Sequence, residues 1–413
     1  MTRIYIPIFA DHLKSKVFSL HRGNPGVGGT QFTSIRLALL LAETCPEWKI
    51  VLVNSNKISL ENSSLNVVQQ ISKNSTNFFN SIDINHDDLI IASTSTLKTV
   101  DIKCLQNFEG NLVCWSRHPF DKDANVLASK VKFKGVVCVG TYQFYSNTNI
   151  TKDVFYIQNP FILPNLTKIE KKLKPKNREI DIVYMGALIP GKGFLEVAKS
   201  WHSLKALVPR VKLHVIGSTA TYGEKSESHL IPTKPDFAEK ILGFIPEEDI
   251  HSGKVIFYGN LGEEKFEIIQ KCDLAILNPT GNTEAFPASP LECMACGIPV
   301  IASDDYGMSD CMRFFPELVI KGNKDIPKKV EWLISDPLRY QELQQRSVAV
   351  AKWFDSQADQ IITRWVRLIE AIISDKNSEV DLSPILPFYG SRIKMFYRKR
   401  LRAYVNKIRG LSG

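Results

Sequence analysis

Short runs of β-branched and aliphatic residues alternate with longer amphipathic stretches along most of this chain, in two separate series. Residues 4–9, 50–53, 89–92, 112–115, 136–139 and 154–157 read as strands, with helical patterns between most of them, clearest over 31–43. Such alternation predicts a parallel sheet, because each crossover back to the same edge needs a helix. A lysine-rich stretch with Pro175 follows and reads as a linker over 168–178. A second series then runs through 180–185, 211–216, 255–258, 274–277 and 300–302. At 413 residues the chain is too long for one ordinary core. The expected fold class is therefore α/β, with two doubly wound domains at 1–167 and 179–352, a closing helix at 353–375 and a tail at 376–413. Ligands of such sheets bind at the carboxyl ends of the strands, so the site is expected in the cleft between the domains.

Other classes are disfavoured by what the residues lack. No apolar run approaches the roughly 20 residues needed to span a bilayer. The first ten residues read as a strand and have no signal-peptide layout, so the cytoplasm is the expected compartment. The eight cysteines are scattered among apolar residues, which suits reduced core thiols better than a disulfide frame. Cys293 and Cys296 form one C-x-x-C pair with no second pair and no histidine nearby, which is weak evidence for zinc. The net charge is +9, yet eight Lys/Arg and no Asp/Glu lie between Arg392 and Arg409, so the rest of the chain carries only +1.

The most informative stretch is 278–303. A strand should end at Asn278. A loop rich in Gly, Pro and Thr carries Glu284, and a helix opens near Ser289 or Pro290, where proline suits the first turn. Glu292 falls in that first turn, Gly297 closes the helix and Pro299 opens the next strand. A helix N-terminus attracts anions, and a carboxylate in the loop can bind sugar or ribose hydroxyls. A first-turn glutamate also simply complements the helix dipole, and spacing alone does not separate the two readings.

Three further segments stand at strand-to-helix turns. Gly186, Ala187 and Leu188 lead to Gly191-Lys192-Gly193, where Lys192 can reach a diphosphate as a point charge, or stand solvated after a turn. Gly23, Gly26, Gly28 and Gly29 precede a helix for which Thr30 is the expected cap. A dinucleotide fingerprint would need a third glycine at Gln31 and an acid ending the second strand; the chain has Val53-Asn54-Ser55 there, which disfavours a dehydrogenase. Trp115-Ser116-Arg117-His118-Pro119-Phe120 places a histidine just past a strand. A lone histidine is more often structural than functional. Asp121-Lys122-Asp123 reads as a solvated polar turn rather than a metal site.

Glu284 and Glu292 form E-x7-E, and Met294-Ala295-Cys296-Gly297-Ile298-Pro299-Val300-Ile301-Ala302-Ser303 follows. Together they resemble glycosyltransferase family 4. The segment from Gly186 to Phe194 resembles that family's phosphate-binding turn, with Ala187 where the family more often has arginine. Gly28-Gly29 resembles its amino-terminal glycine loop, and His118 stands where the family commonly places a histidine facing the donor sugar. The resemblance implies the GT-B fold, with Rossmann-like halves and the amino-terminal one holding the acceptor. It also implies retaining transfer of a hexosyl or N-acetylhexosaminyl group from a nucleotide-sugar donor to a glycan or lipid-linked acceptor. Glu284 would face the donor sugar and Glu292 would hold the ribose. Lys192, Gly186, Gly28, Gly29, Ala285, Phe286, Pro287, Ser289, Pro290 and Leu291 would complete the donor site. No cofactor and no metal are expected, because Lys192, helix N-termini and backbone N–H groups can stabilise the leaving diphosphate.

Beyond residue 374 the chain continues past the resemblance. Ile393, Phe396, Tyr397, Leu401, Tyr404, Val405 and Ile408 recur at helical spacing among basic residues. Two readings stand: a helix on an anionic membrane surface through 391–413, or one packed on the amino-terminal domain. No nucleic-acid recognition module is present. The expected setting is surface polysaccharide or lipopolysaccharide synthesis; the alternative is a non-catalytic GT-B protein that binds sugar nucleotide or glycan.

Overall fold

The computed structural model describes residues 1–61, 65–118, 120–147, 153–164, 166, 179–222 and 229–384. The expected linker at 168–178 and the basic segment 391–413 lie outside the described residues.

Both series form parallel sheets. The amino-terminal sheet has seven strands, ordered Val67–Ile71, Lys49–Asn54, Arg3–Pro7, Leu89–Ser93, Asn111–Ser116, Gly135–Cys138 and Val154–Tyr156. The second has five, ordered Val255–Gly259, Val211–Ile216, Ile180–Met185, Leu274–Leu277 and Val300–Ala302. In each, the first strand in sequence lies inside the sheet and the chain then builds outward in both directions, so the strand order reverses beside it. Two loops diverge at that point and leave a crevice. The fold is GT-B, with two Rossmann-like halves.

The sequence reason is burial on both faces. All six residues of Asn111–Ser116 are buried, as are all four of Leu274–Leu277. Strands covered by helices on both sides read as unbroken apolar runs. The edge strand Val67–Ile71 is half-exposed and carries two glutamines, so it has no such run; the sequence reading omits it. Two short strands, Val17–Phe18 and Ser59–Leu60, pair in a small separate sheet and are likewise absent from that reading.

The carboxyl end returns to the first sheet. Helix Pro337–Asp355 leads into helix Ala358–Ile373, whose Trp365 packs edge-on against Trp115 at 5.0 Å between ring centres. Beyond it, Leu382 is buried and its carbonyl accepts a 2.8 Å hydrogen bond from the backbone N–H of Tyr156. Residues 376–384 therefore pad the edge of the amino-terminal sheet. The expectation of a basic tail starting at 376 is corrected on this point: Leu382 has apolar surface to bury and an edge strand to pair with.

Candidate active site

Both crevices open into one cavity of about 300 Å³, within the range of small-molecule sites. Its wall is made of loops at the carboxyl ends of strands from both sheets, including Gly29, Arg117, His118, Gly186, Asn260 and Glu284. The halves touch on either side of it. At one end the Gly23 N–H donates to Glu263 at 2.7 Å. At the other the Thr141 backbone N–H and hydroxyl both donate to the buried carboxylate of Asp310. Gly140 explains how closely they meet: an added Cβ would stand 1.9 Å from the Ala285 carbonyl oxygen.

The switch point of the second sheet sets Lys192 against Glu284. Lys192 follows strand Ile180–Met185, Glu284 follows strand Leu274–Leu277, and these strands are neighbours. The Lys192 ammonium lies 2.9 Å from Glu284 Oε1, with side-chain exposures of 14% and 12%. Two further contacts fix the pair. The Tyr184 hydroxyl donates to the Lys192 carbonyl at 2.7 Å, and the Asn278 amide donates to Glu284 Oε1 at 3.0 Å. Gly193 is required at its place: its φ is +76°, and a Cβ would lie 2.7 Å from Asn278 Oδ1. The loop pays for this arrangement in backbone strain, since Asn278 and Thr283 both have positive φ, 27° and 64°.

Glu292 stands in the first turn of helix Ser289–Ala295 and lines the cavity. Its carboxylate lies 2.6 Å from the Lys265 ammonium. His118 reaches in from the opposite half and hydrogen-bonds to the Thr283 backbone. Crowding by protein atoms, then Lys192, hold its imidazole below the ordinary value. His118 is thus neutral near pH 7, able to donate from one nitrogen and accept on the other.

Most of the residues expected from sequence meet here. Glu284, Glu292, Lys192, His118, Gly186, Gly29, Ala285, Phe286, Pro287 and Ser289 all line the cavity. Three do not line it. Leu291 is fully buried and packs in the hydrophobic core. Pro290 is buried inside the helix start and has no N–H to offer. Gly28 is buried and takes the cap position of helix Gly29–Thr44. Thr30 consequently sits within the first turn and does not cap it; no side chain does. Asp121, read as part of a solvated turn, caps helix Lys122–Lys130 by accepting from the Ala124 N–H at 2.9 Å.

Three residues that the sequence reading did not single out belong to the wall. Lys265 follows two glutamates and looks solvated in sequence, yet it is 6% exposed. Asn278 reads only as a strand end. Arg117 precedes His118 and is 5% exposed. All eight cysteines are free, and among the described residues no three His, Cys, Asp or Glu are grouped as a metal site. No helix among them is long and apolar enough to cross a membrane.

Residues 166–350 match the family described as glycosyl transferases group 1. That is the segment carrying Lys192, Glu284 and Glu292. Among curated proteins compared by sequence, none matches. Among solved structures, sucrose-phosphate synthase from Thermosynechococcus elongatus is similar with a TM-score of 0.65 at 15% identity, over 91% of this chain and 100% of that one. The HepE protein of Anabaena, solved in complex with UDP-glucose, gives 0.64 at 15% identity over 89% and 100%. The lipopolysaccharide outer core galactosyltransferase WaaB gives 0.56 at 15% identity over 91% and 100%. At this identity the likeness is one of fold.

Proposed function

We propose that the chain is a retaining glycosyltransferase. It moves a hexosyl or N-acetylhexosaminyl group from a nucleotide-sugar donor to a glycan or lipid-linked acceptor, in making a surface polysaccharide or lipopolysaccharide, without a metal. The observation that carries this reading is the meeting of Lys192, Glu284, Glu292 and His118, from two sheets, around one cavity at the switch point. Retention, the acceptor and the biological setting rest on the family resemblance and on what the similar structures are.

The arrangement suits this chemistry. Glu292 accepts from ribose hydroxyls at the start of its helix. Lys192 leaves its partner Glu284 for the donor diphosphate, an exchange of one anion for another that keeps the ammonium paired. Glu284, released and still held by Asn278, faces the donor sugar. Neutral His118 accepts from or donates to that sugar's hydroxyls. The bond from the anomeric carbon to the diphosphate oxygen breaks, and the acceptor oxygen bonds that carbon on the same face. The acceptor's proton passes to the departing diphosphate oxygen. Lys192 and backbone N–H groups stabilise the charge that develops there.

The test joins binding to turnover. Uridine, guanosine and adenosine diphosphates are screened for a rise in melting temperature, which a ligand of the folded state must produce. The nucleotide-sugar of the base that binds is then assayed for hydrolysis and transfer. Glu284→Gln is expected to stay folded and to lose most turnover. No shift with any of the three nucleotides, or wild-type turnover by folded Glu284→Gln, overturns the proposal.

A further inference from the structure

A second, smaller cavity lies outside the candidate active site, where the two halves meet helix Ala358–Ile373. Thr141, Tyr156 and Gln158 reach it from the amino-terminal half, Arg313 from the other half, and Arg364 from the helix. Its volume is about 40 Å³, against the roughly 10–15 Å³ that holds one water on the same measure. Among the described residues no Asp or Glu lines it. A surface hollow shares Arg364 and Pro384 with it, so the cavity is reached from solvent.

Two donors of its wall have no acceptor among the described residues. Gln158 is 9% exposed. Its Oε1 accepts from the Tyr156 hydroxyl at 3.1 Å, and its Nε2 is buried with no partner. Arg364 gives Nη2 to the Ser383 carbonyl at 2.6 Å, and its Nε is likewise buried and unpartnered. Asp381, on the same flank, spends Oδ1 on the Ser383 N–H and hydroxyl, at 2.9 and 2.6 Å. Burial, opposed in part by Tyr156 and Asp381, holds the Arg364 pKa below its ordinary value. Arg313 shares its carboxylate: its Nη2 lies 3.5 Å from Asp310, which also accepts from the Thr141 N–H and hydroxyl. The wall itself thus carries two guanidinium groups, orphaned N–H donors and no carboxylate. A buried donor without an acceptor costs free energy until one arrives. Water supplies an acceptor but brings no charge to the guanidinium groups. An anion supplies both.

We propose that this cavity is a binding site for a small oxyanion, a phosphate or a carboxylate, seated where the two halves and helix Ala358–Ile373 meet. Such a group offers several lone pairs, and charge-assisted bonds from a guanidinium to it are the strong ones. The ligand accepts from the Gln158 amide and the Arg364 Nε–H and faces the Arg313 guanidinium. Thr141 borders the cavity and also makes the bond across the halves to Asp310. Occupancy therefore stabilises the halves in this arrangement. This cavity shares no lining residue with the one that holds Lys192 and Glu284, so the proposal does not rest on the transferase reading.

Titration calorimetry on the full chain tests this, with inorganic phosphate and malonate as probes. Arg364→Met removes one charge-assisted contact and is expected to weaken binding about ten- to a hundredfold. Gln158→Glu keeps the side chain's length and still accepts from Tyr156, but sets a carboxylate in the cavity. It is expected to abolish binding and to raise the ligand-free melting temperature, because the protein then supplies the anion itself. This variant decides the matter where Arg364→Met fails to fold. Lys192→Ala is expected to keep the binding, which separates this site from the larger cavity. Binding of phosphate alone, or of malonate alone, assigns the acid group of the ligand. The proposal is overturned if neither anion binds the wild-type chain, in which case water fills the cavity. It is also overturned if either folded variant, Arg364→Met or Gln158→Glu, binds both anions as the wild type does, or if Lys192→Ala alone removes the binding.

Discussion

Replacing Glu292 by leucine strands the Lys265 ammonium. Its side chain is 7% exposed and its carboxylate partner, 2.6 Å away, is 15% exposed, so water reaches neither group freely. Removing one partner of a buried ion pair costs about 3–5 kcal/mol, because the remaining charge is left without compensation. At roughly 2–4 °C per kcal/mol for a domain of this size, the melting temperature should fall by about 6–20 °C. Lys265→Met should cost less, about 1–3 kcal/mol, because the orphaned carboxylate borders the cavity and can turn toward water. The double variant Lys265→Met with Glu292→Leu replaces both charges with apolar groups of similar length. It should recover most of the loss, so that the two single effects differ from their joint effect by at least about 2 kcal/mol. Urea unfolding followed by intrinsic fluorescence, with all four proteins in one buffer, measures the cycle. Additive single and double effects, or a Glu292→Leu protein as stable as wild type, would show that the pair carries no net interaction, and the reasoning would fail.

Other consequences are as direct. Lys192→Ala removes one charge-assisted phosphate contact worth about 1.5–3 kcal/mol; nucleoside diphosphate affinity should drop roughly ten- to a hundredfold, and an unchanged dissociation constant would mean another cation holds the diphosphate. The same change should raise the pKa of His118, which burial and Lys192 now depress. A histidine with a depressed folded value costs stability as pH falls through its ordinary value near 6.5, where the unfolded chain takes up a proton that the folded one refuses. His118→Gln should therefore flatten the stability profile around pH 6, and an imidazole NMR titration unmoved by Lys192→Ala would refute the coupling. Turnover should persist in excess EDTA; loss with EDTA and rescue by magnesium or manganese would overturn the metal-free route. Removing residues 391–413 should abolish binding to anionic liposomes at low salt, each Lys/Arg contributing about 1 kcal/mol at such a surface. If the full chain ignores those liposomes, the anchor reading falls; if truncation instead lowers the melting temperature, the segment packs on the protein.

What the sequence by itself determined is the part of the structure governed by local rules. Runs such as 112–115 and 274–277 declare themselves because a strand covered on both faces is apolar along its length. The helix start at Ser289 and its end at Gly297, with φ +68°, follow from proline and glycine chemistry that needs no neighbour. The order of these elements names the sheet class, and the turn after each strand marks where ligands can bind. Tertiary structure decided which of these turns meet. Lys192 and Glu284 are 92 residues apart and touch only because their strands are neighbours at the switch point. His118 joins them from a different sheet. Solvation was equally hidden. Lys265 follows two glutamates and Arg117 precedes a histidine, contexts in which either would ordinarily be hydrated. Their burial depends on which surfaces fold over them, and that is a property of the packed pair of domains and of no local window of sequence. The strand Val67–Ile71 was illegible for the opposite reason: an edge strand half in water needs no apolar run, so its place is given by the ladder to Lys49–Asn54 alone.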